Sequence, residues 1–379
     1  MKKFICLLGI SVVLLSCNRE GGSLSESSRP DEKGNRYATG FKVEEGEGYR
    51  LLTVYDPWQQ SKGLKFSYLL TEKGSVIPDS LQDLPRIKLP VTRLIPMSTT
   101  HCAMISALGQ QDRIVAVSGG KYLYQPDLVE ALHSGAISDI GYGRSIDFEA
   151  IIGLEPELMI LYGVNAGDRE LGDRLSELGI PYVYCGEYLE SHPLGKAEWV
   201  RFFASLLGIE DQGNALFDAI AERYESMAKL AENTAFKPRV LTGLPWKDSW
   251  YIAGGQSYVA RLIQDAGGSY LWSKLEGSEA VPIDIEHIFL KAMEADFWLN
   301  TGTATSLDEI SGMDERFKLL PPYKSGRVIN NNRRMGPAGG NDYWESGVVR
   351  PDDVLADLIH FLHPELLPEH QALYYQQLK

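Results

Sequence analysis

The sequence predicts an α/β protein of two Rossmann-like lobes joined by a long helix, with a β-rich segment added in front. Three observations predict it. From Val91 to Leu362, strand-like and helix-like stretches alternate, which implies mostly parallel sheets. Ile146-Asp147-Phe148-Glu149-Ala150-Ile151 and Ile283-Asp284-Ile285-Glu286-His287-Ile288 share the pattern Ile-Asp-apolar-Glu-x-Ile. Each runs into a helix-length stretch, a short acidic corner (Pro156-Glu157, Ala295-Asp296) and an apolar run. A repeated helix-then-strand unit means two similar lobes. Between the copies, Trp199, Phe202, Phe203, Leu206 and Leu207 fall at i, i+3, i+4, i+7 and i+8, a helical stripe.

The elements follow in order. Met1-Lys2-Lys3, the apolar run Phe4 to Leu15 and Ser16-Cys17 make a basic, then apolar, then small-residue leader. The run is too short to span a bilayer. Leu14-Leu15-Ser16-Cys17 resembles the bacterial lipobox, which implies a signal peptide over residues 1–16 and a lipidated Cys17. The rest of 17–36 is Gly, Ser and charge and reads as a flexible tether. In 37–90, apolar residues alternate between Gly-rich turns, as in short antiparallel strands. The N-lobe is expected over 91–192. It starts with a strand from Val91 to Met97 and a helix capped near Ser98-Thr99-Thr100. The joining helix is expected over 193–208, and the C-lobe over 209–379.

The 379 residues with 44% hydrophobic content suffice for two domain cores. Net charge is −14, and loss of Lys2 and Lys3 with the leader would bring it to −16. Such a body repels nucleic acid and anionic lipid faces. Cys102 and Cys185 form either a disulfide or two buried thiols. There is no Gly-x-Ser-x-Gly, His-Glu-x-x-His or phosphate-loop motif. Gly141-Tyr142-Gly143 lacks the third glycine of a dinucleotide fingerprint. His360 and His363 read as surface residues near a helix end, and the histidines form no spaced ligand set.

Several motifs carry a resemblance that runs from about Val91 to Glu365. They are Arg93-Leu94-Ile95-Pro96-Met97-Ser98, Leu108-Gly109 with Arg113-Ile114-Val115-Ala116-Val117, Ile140-Gly141, Leu154-Glu155-Pro156-Glu157-Leu158, and Ala266-Gly267-Gly268, together with both copies of the repeat. The chain resembles the class III periplasmic substrate-binding proteins of ABC importers, in lipoprotein form. Residues 37–90 and Gly339-Gly340-Asn341-Asp342-Tyr343-Trp344 fall outside the general pattern. The resemblance implies a non-enzymatic monomer held at the membrane by lipid and facing the periplasm. It would deliver a ferric siderophore, haem or cobalamin to a permease dimer with its ATPase. It also implies that Glu149 and Glu286 dock onto arginines of the permease. The plainer reading is that each merely supports a helix N-terminus.

In open α/β sheets, ligands sit at the carboxyl ends of strands. That rule nominates Thr99, Thr100, His101, Lys121, Tyr122, Tyr142, Arg144, Tyr162 and Asn165 from the first lobe. From the second it nominates Trp246, Trp250, Gln256, Tyr258, Arg333, Arg334 and Trp344. Aromatics suit a macrocycle; Arg144, Arg333 and Arg334 suit an anionic chelate or haem. Tyr122, Tyr162 and His101 are candidate axial ligands for haem. Many of these aromatics are also natural core residues. Two rival readings are a surface-exposed scavenger or adhesion lipoprotein and an enzyme on the same scaffold.

Overall fold

In the computed structural model, the two copies of the repeat fold alike. Asp147 caps the helix Phe148–Leu154 by accepting the N–H of Ala150 at 2.9 Å. Asp284 caps Ile285–Ala292 by accepting that of Glu286 at 2.9 Å. Each helix leads into the strand at the middle of its lobe's parallel sheet. Leu158–Tyr162 lies between Leu94–Pro96 and Tyr182–Cys185. Phe297–Leu299 lies between Arg239–Thr242 and Val328–Asn330. The described residues are 34–163, 166–247 and 249–379. The leader, Cys17, the tether to residue 33 and Asn165 lie outside them. Among the described residues, no helix is long and apolar enough to cross a membrane.

The segment expected to join the lobes as one helix is two, Pro193–Glu198 and Val200–Leu207, broken at Trp199. The Trp199 indole is fully buried, packs 4.7 Å from Phe41 and donates to Glu190 at 3.1 Å. Val200–Leu207 belongs to the N-lobe core, whereas Pro193–Glu198 also packs on C-lobe helices, its Lys196 ammonium 4.6 Å over the Tyr258 ring. The longer helix that follows, Glu210–Glu232, of 23 residues, also reaches both lobes. Near its start, Gln212 donates to the carbonyl of Leu108 at 2.8 Å. Further along, Arg223 meets Asp352 at 2.5 Å and Tyr224 donates to Asp265 at 2.7 Å.

Residues 37–90 form their own sheet. Phe41–Glu45, Tyr49–Tyr55 and Lys65–Thr71 run antiparallel, and Arg86–Lys88 adds a parallel edge. The sheet packs on the N-lobe: Phe66 and Trp58 stand 4.6 and 5.3 Å from Tyr184. Two carboxylates fix the chain leading into it. Glu198, wholly buried, accepts the N–H groups of Arg36, Tyr37 and Ala38 at 2.7–2.8 Å. Glu190 accepts those of Thr39 and Gly40 at 2.8 Å. Buried backbone donors must find acceptors, and these five find theirs on a different element.

The C-lobe holds elements the periodicity did not predict. Pro245–Trp246, Ser249–Ala253 and Ala280–Asp284 make a small antiparallel sheet. Gln376–Gln377 adds an antiparallel edge to the main one. Asp357, fully buried, draws the tail back by accepting the N–H groups of Leu373, Tyr374 and Tyr375 at 2.6–3.0 Å. His363 is buried against the carbonyl of Gly267, not on the surface, because its helix packs its whole length into the lobe. Cys102 and Cys185 are free and buried.

Glu198→Ala leaves three backbone donors without an acceptor. It should lower stability by about 2–4 kcal/mol and open the chain before Phe41 to protease. Urea unfolding with limited proteolysis reads both.

Candidate functional site

The first wall of the site is built from two N-lobe loops. After Ala116–Val117 the chain turns through Gly119, whose φ of +66° suits glycine. After Ser138–Asp139 it turns through Gly141 at +86°. The Asp139 carboxylate holds both turns. It accepts the N–H groups of Gly119, Gly120 and Gly141 at 3.1, 2.8 and 3.0 Å. The two loops thus bring Tyr122 and Tyr142 together, ring centroids 5.5 Å apart at 65°. Tyr142 is 60% exposed. The Lys121 ammonium lies 4.8 Å over the Tyr122 ring, and Arg144 is exposed beside them in sequence.

The second wall is the C-lobe segment after Val328–Asn330. Asn341 caps its short 3-10 turn through the N–H of Tyr343 at 3.0 Å. Asp342, buried, receives Arg334 at 2.6 Å. Trp344 is 52% exposed, its ring 4.6 Å from Tyr343. Arg333 is exposed.

The walls touch. Thr100, in the first turn of Thr99–Ala107, donates its hydroxyl to the carbonyl of Trp344 at 2.7 Å. Glu345 accepts the N–H groups of Tyr124 and Gln125, each at 2.9 Å. The Arg334 guanidinium sits 4.9 Å over the Tyr124 ring. Thr100, Lys121, Tyr122, Tyr142, Arg334 and Trp344 are therefore gathered at, or directly beside, one junction between the lobes. Thr99 is half-buried next to it in the same helical turn.

Other nominated residues lie elsewhere. His101 is fully buried and faces Glu187 at 3.2 Å, because its helix turns that position toward the core. Trp250 is a core residue packed 5.8 Å from both Trp298 and Phe317. Tyr258 is half-buried under the Lys196 ammonium at 4.6 Å. Tyr162 is half-buried, 5.0 Å from the Tyr188 ring. Trp246 is exposed on the small antiparallel sheet, with Lys247 4.2 Å over its ring. Gln256 is exposed in the turn before the helix Tyr258–Asp265. Arg334 is not a free cation but the partner of Asp342.

His101, Cys185 and Glu187 offer donor atoms within 4.8 Å of one another, all buried. Burial pushes Glu187 toward neutrality, yet His101 and Lys196 hold its carboxyl below the usual range. Burial in turn depresses Lys196, against the pull of Glu187 and Glu190. The cluster is buried in the N-lobe core.

Glu149 and Glu286 are both exposed at the second position of their matched helices, while Asp147 and Asp284 do the capping. Glu286 also meets Arg316 at 3.4 Å. Sequence reasoning missed Asp139 and Glu345. An acidic residue two before the Gly-x-Gly turn was a local sign of Asp139; nothing local marks Glu345, whose partners are over two hundred residues away.

Burial pushes the Glu345 carboxyl up to about 7, against the two N–H groups it accepts and with help from Asp342. A raised carboxyl contributes stability below its unfolded value near 4.5, and that contribution fades as pH rises to about 7. The melting temperature of wild type minus that of Glu345→Gln should therefore fall between pH 5 and pH 8. A difference that is constant in pH would remove Glu345 from the titration.

Known proteins match this arrangement. The family model described as periplasmic binding protein matches residues 96–333. An uncharacterized lipoprotein of Methanocaldococcus jannaschii is 29% identical over 325 residues, covering 82% of this chain and 75% of its own. A second from the same organism is 24% identical, covering 99% and 98%. Among solved structures, the periplasmic haem-binding protein RhuT of Roseiflexus sp. RS-1 superposes with a TM-score of 0.56 at 21% identity, covering 73% of this chain and 99% of its own. The periplasmic vitamin B12 binding protein BtuF of Vibrio cholerae does so with 0.52 at 17%, covering 74% and 99%. With two lobes, a joining helix and a family match over most of its length, this chain belongs to the periplasmic binding protein family.

Proposed function

We propose that this chain, anchored by lipid at Cys17, captures a metal chelate of the ferric siderophore, haem or cobalamin class between its lobes. It then hands the chelate to an ABC permease dimer with its ATPase. One observation carries the reading: the Tyr122–Tyr142 pair and the half-exposed Trp344 stand on opposite lobes of a single junction. Aromatic faces on both sides give a large, flat ligand apolar contact at little entropic cost. Lys121, Arg144 and Arg333 add charge for carboxylates or catecholates. The names of the similar solved proteins, which mention haem and vitamin B12, support the same class.

Delivery would use Glu149 and Glu286. Equivalent positions on two similar lobes make a pseudo-symmetric pair of charges, suited to a two-fold symmetric partner. Glu286 must first exchange Arg316, which is already held by Asp314 at 2.7 Å.

Cyanocobalamin, hemin and ferrichrome should be titrated in turn into the full chain while tryptophan emission is followed. Saturable quenching by one of them is expected, with affinity about tenfold weaker in Tyr142→Ala; silence with all three would remove the ligand class. The double variant Glu149→Ala/Glu286→Ala should bind that ligand normally yet fail to stimulate the ATPase of its transporter. Normal stimulation would reject the docking role.

A further inference from the structure

We propose that Glu345 is the positioning residue that locks the lobes together at the base of the cleft, so that the protein without ligand already holds its aromatic walls at binding distance. That purpose rests on the ligand reading above; the lock itself does not.

The helix Pro126–His133 begins without a cap of its own. Gln125, at its N-cap, makes no side-chain bond, and Pro126 has no N–H to offer. The N–H groups of Tyr124 and Gln125, just ahead of the helix, are held from the other lobe. Both Glu345 oxygens are used, one on Tyr124 and one on Gln125, each at 2.9 Å. Glu345 is only 1% exposed. Parting the lobes here would break both bonds together.

Independent contacts point to the same fixed spacing. Thr100 reaches the Trp344 carbonyl at 2.7 Å. A Cβ added to Gly340 would collide with the carbonyl oxygen of Tyr122, so the two backbones are in direct contact there. At the other attachment, the helix Glu210–Glu232 binds both lobes through Gln212 and Arg223. A hinge would need these attachments, and the packing of Pro193–Glu198 on the C-lobe helices, to yield together. The groups facing the Glu345 carboxylate are Asp342 on its own segment, paired with Arg334, and the Cys102 thiol on the helix Thr99–Ala107. None of them supplies a cation to replace the two N–H donors.

The test needs no ligand, so its failure is distinct from failure of the ligand assignment. Nitroxides are placed at Asp173→Cys on the N-lobe and Asp308→Cys on the C-lobe, in a full chain with Cys6→Ser and Cys17→Ser; Cys102 and Cys185 are buried. Distances are read by pulsed electron–electron resonance at pH 8. The parent should give one narrow distribution. Glu345→Ala should broaden and lengthen it, and Glu345→Gln, which keeps one acceptor, should do so less. Gly340→Ala, a steric wedge at the same contact, should lengthen it as well, and it decides the matter if Glu345→Ala fails to fold. A parent with a broad distribution, or folded Glu345→Ala and Gly340→Ala variants that both keep the parent's narrow one, would overturn the lock.

Discussion

A buried carboxylate accepting backbone N–H groups from a distant element is the interaction on which this molecule's long-range order rests. Glu198 and Glu190 use it to fix the chain entering the N-terminal sheet. Asp357 uses it to draw in the C-terminal tail. Glu345 uses it to bind lobe to lobe. Each bond spans residues far apart in sequence, so each restricts the chain more than a local cap does. A buried carboxylate is costly unless its oxygens are satisfied, and two or three amide donors do most of that, with Arg201 added at Glu198 and His370 at Asp357. Part of the chain's net charge of −14 is therefore structural.

This device also explains why the added sheet is part of the N-lobe. Its apolar face needs a partner to bury against. They gain a core by laying Phe41 on Trp199 and Phe66 on Tyr184, and they gain a fixed entry angle from Glu190 and Glu198. Trp199 links the two effects: its indole packs on the sheet and donates to Glu190. The break in the helical run at Trp199 belongs to the same arrangement.

Much of the fold was legible because local periodicity decides it. The strand Tyr182–Cys185, the helix starting after Ser98 and the two capped repeat units were all written in the chain. What was not legible depends on partners distant in sequence. Trp246 and Trp250 are four residues apart and alike in composition, yet one is 62% exposed and the other wholly buried. The difference is the pairing of Ser249–Ala253 with Ala280–Asp284, which places Trp250 over Trp298. His101 follows two residues that border the junction, but the helical turn carries it to the opposite side, toward Glu187. The rule that sites lie at strand ends nominates loops; it does not say which way each side chain turns.

The two attachments between the lobes bear on how such a protein distinguishes loaded from empty. A protein that closes widely on its ligand announces loading by shape. One pinned, as proposed, by Glu345 at the cleft and by Glu210–Glu232 behind it would keep Glu149 and Glu286 at a nearly constant separation. A symmetric partner could then engage both charges whether or not ligand is present, since charge steers encounter and fixes register more than it sets affinity. Discrimination would have to come from the ligand itself and from the loops around it, above all those that Asp139 holds together. On the proposed reading, rigidity at the junction would move the signal for loading away from the shape of the body and onto the rim of the cleft.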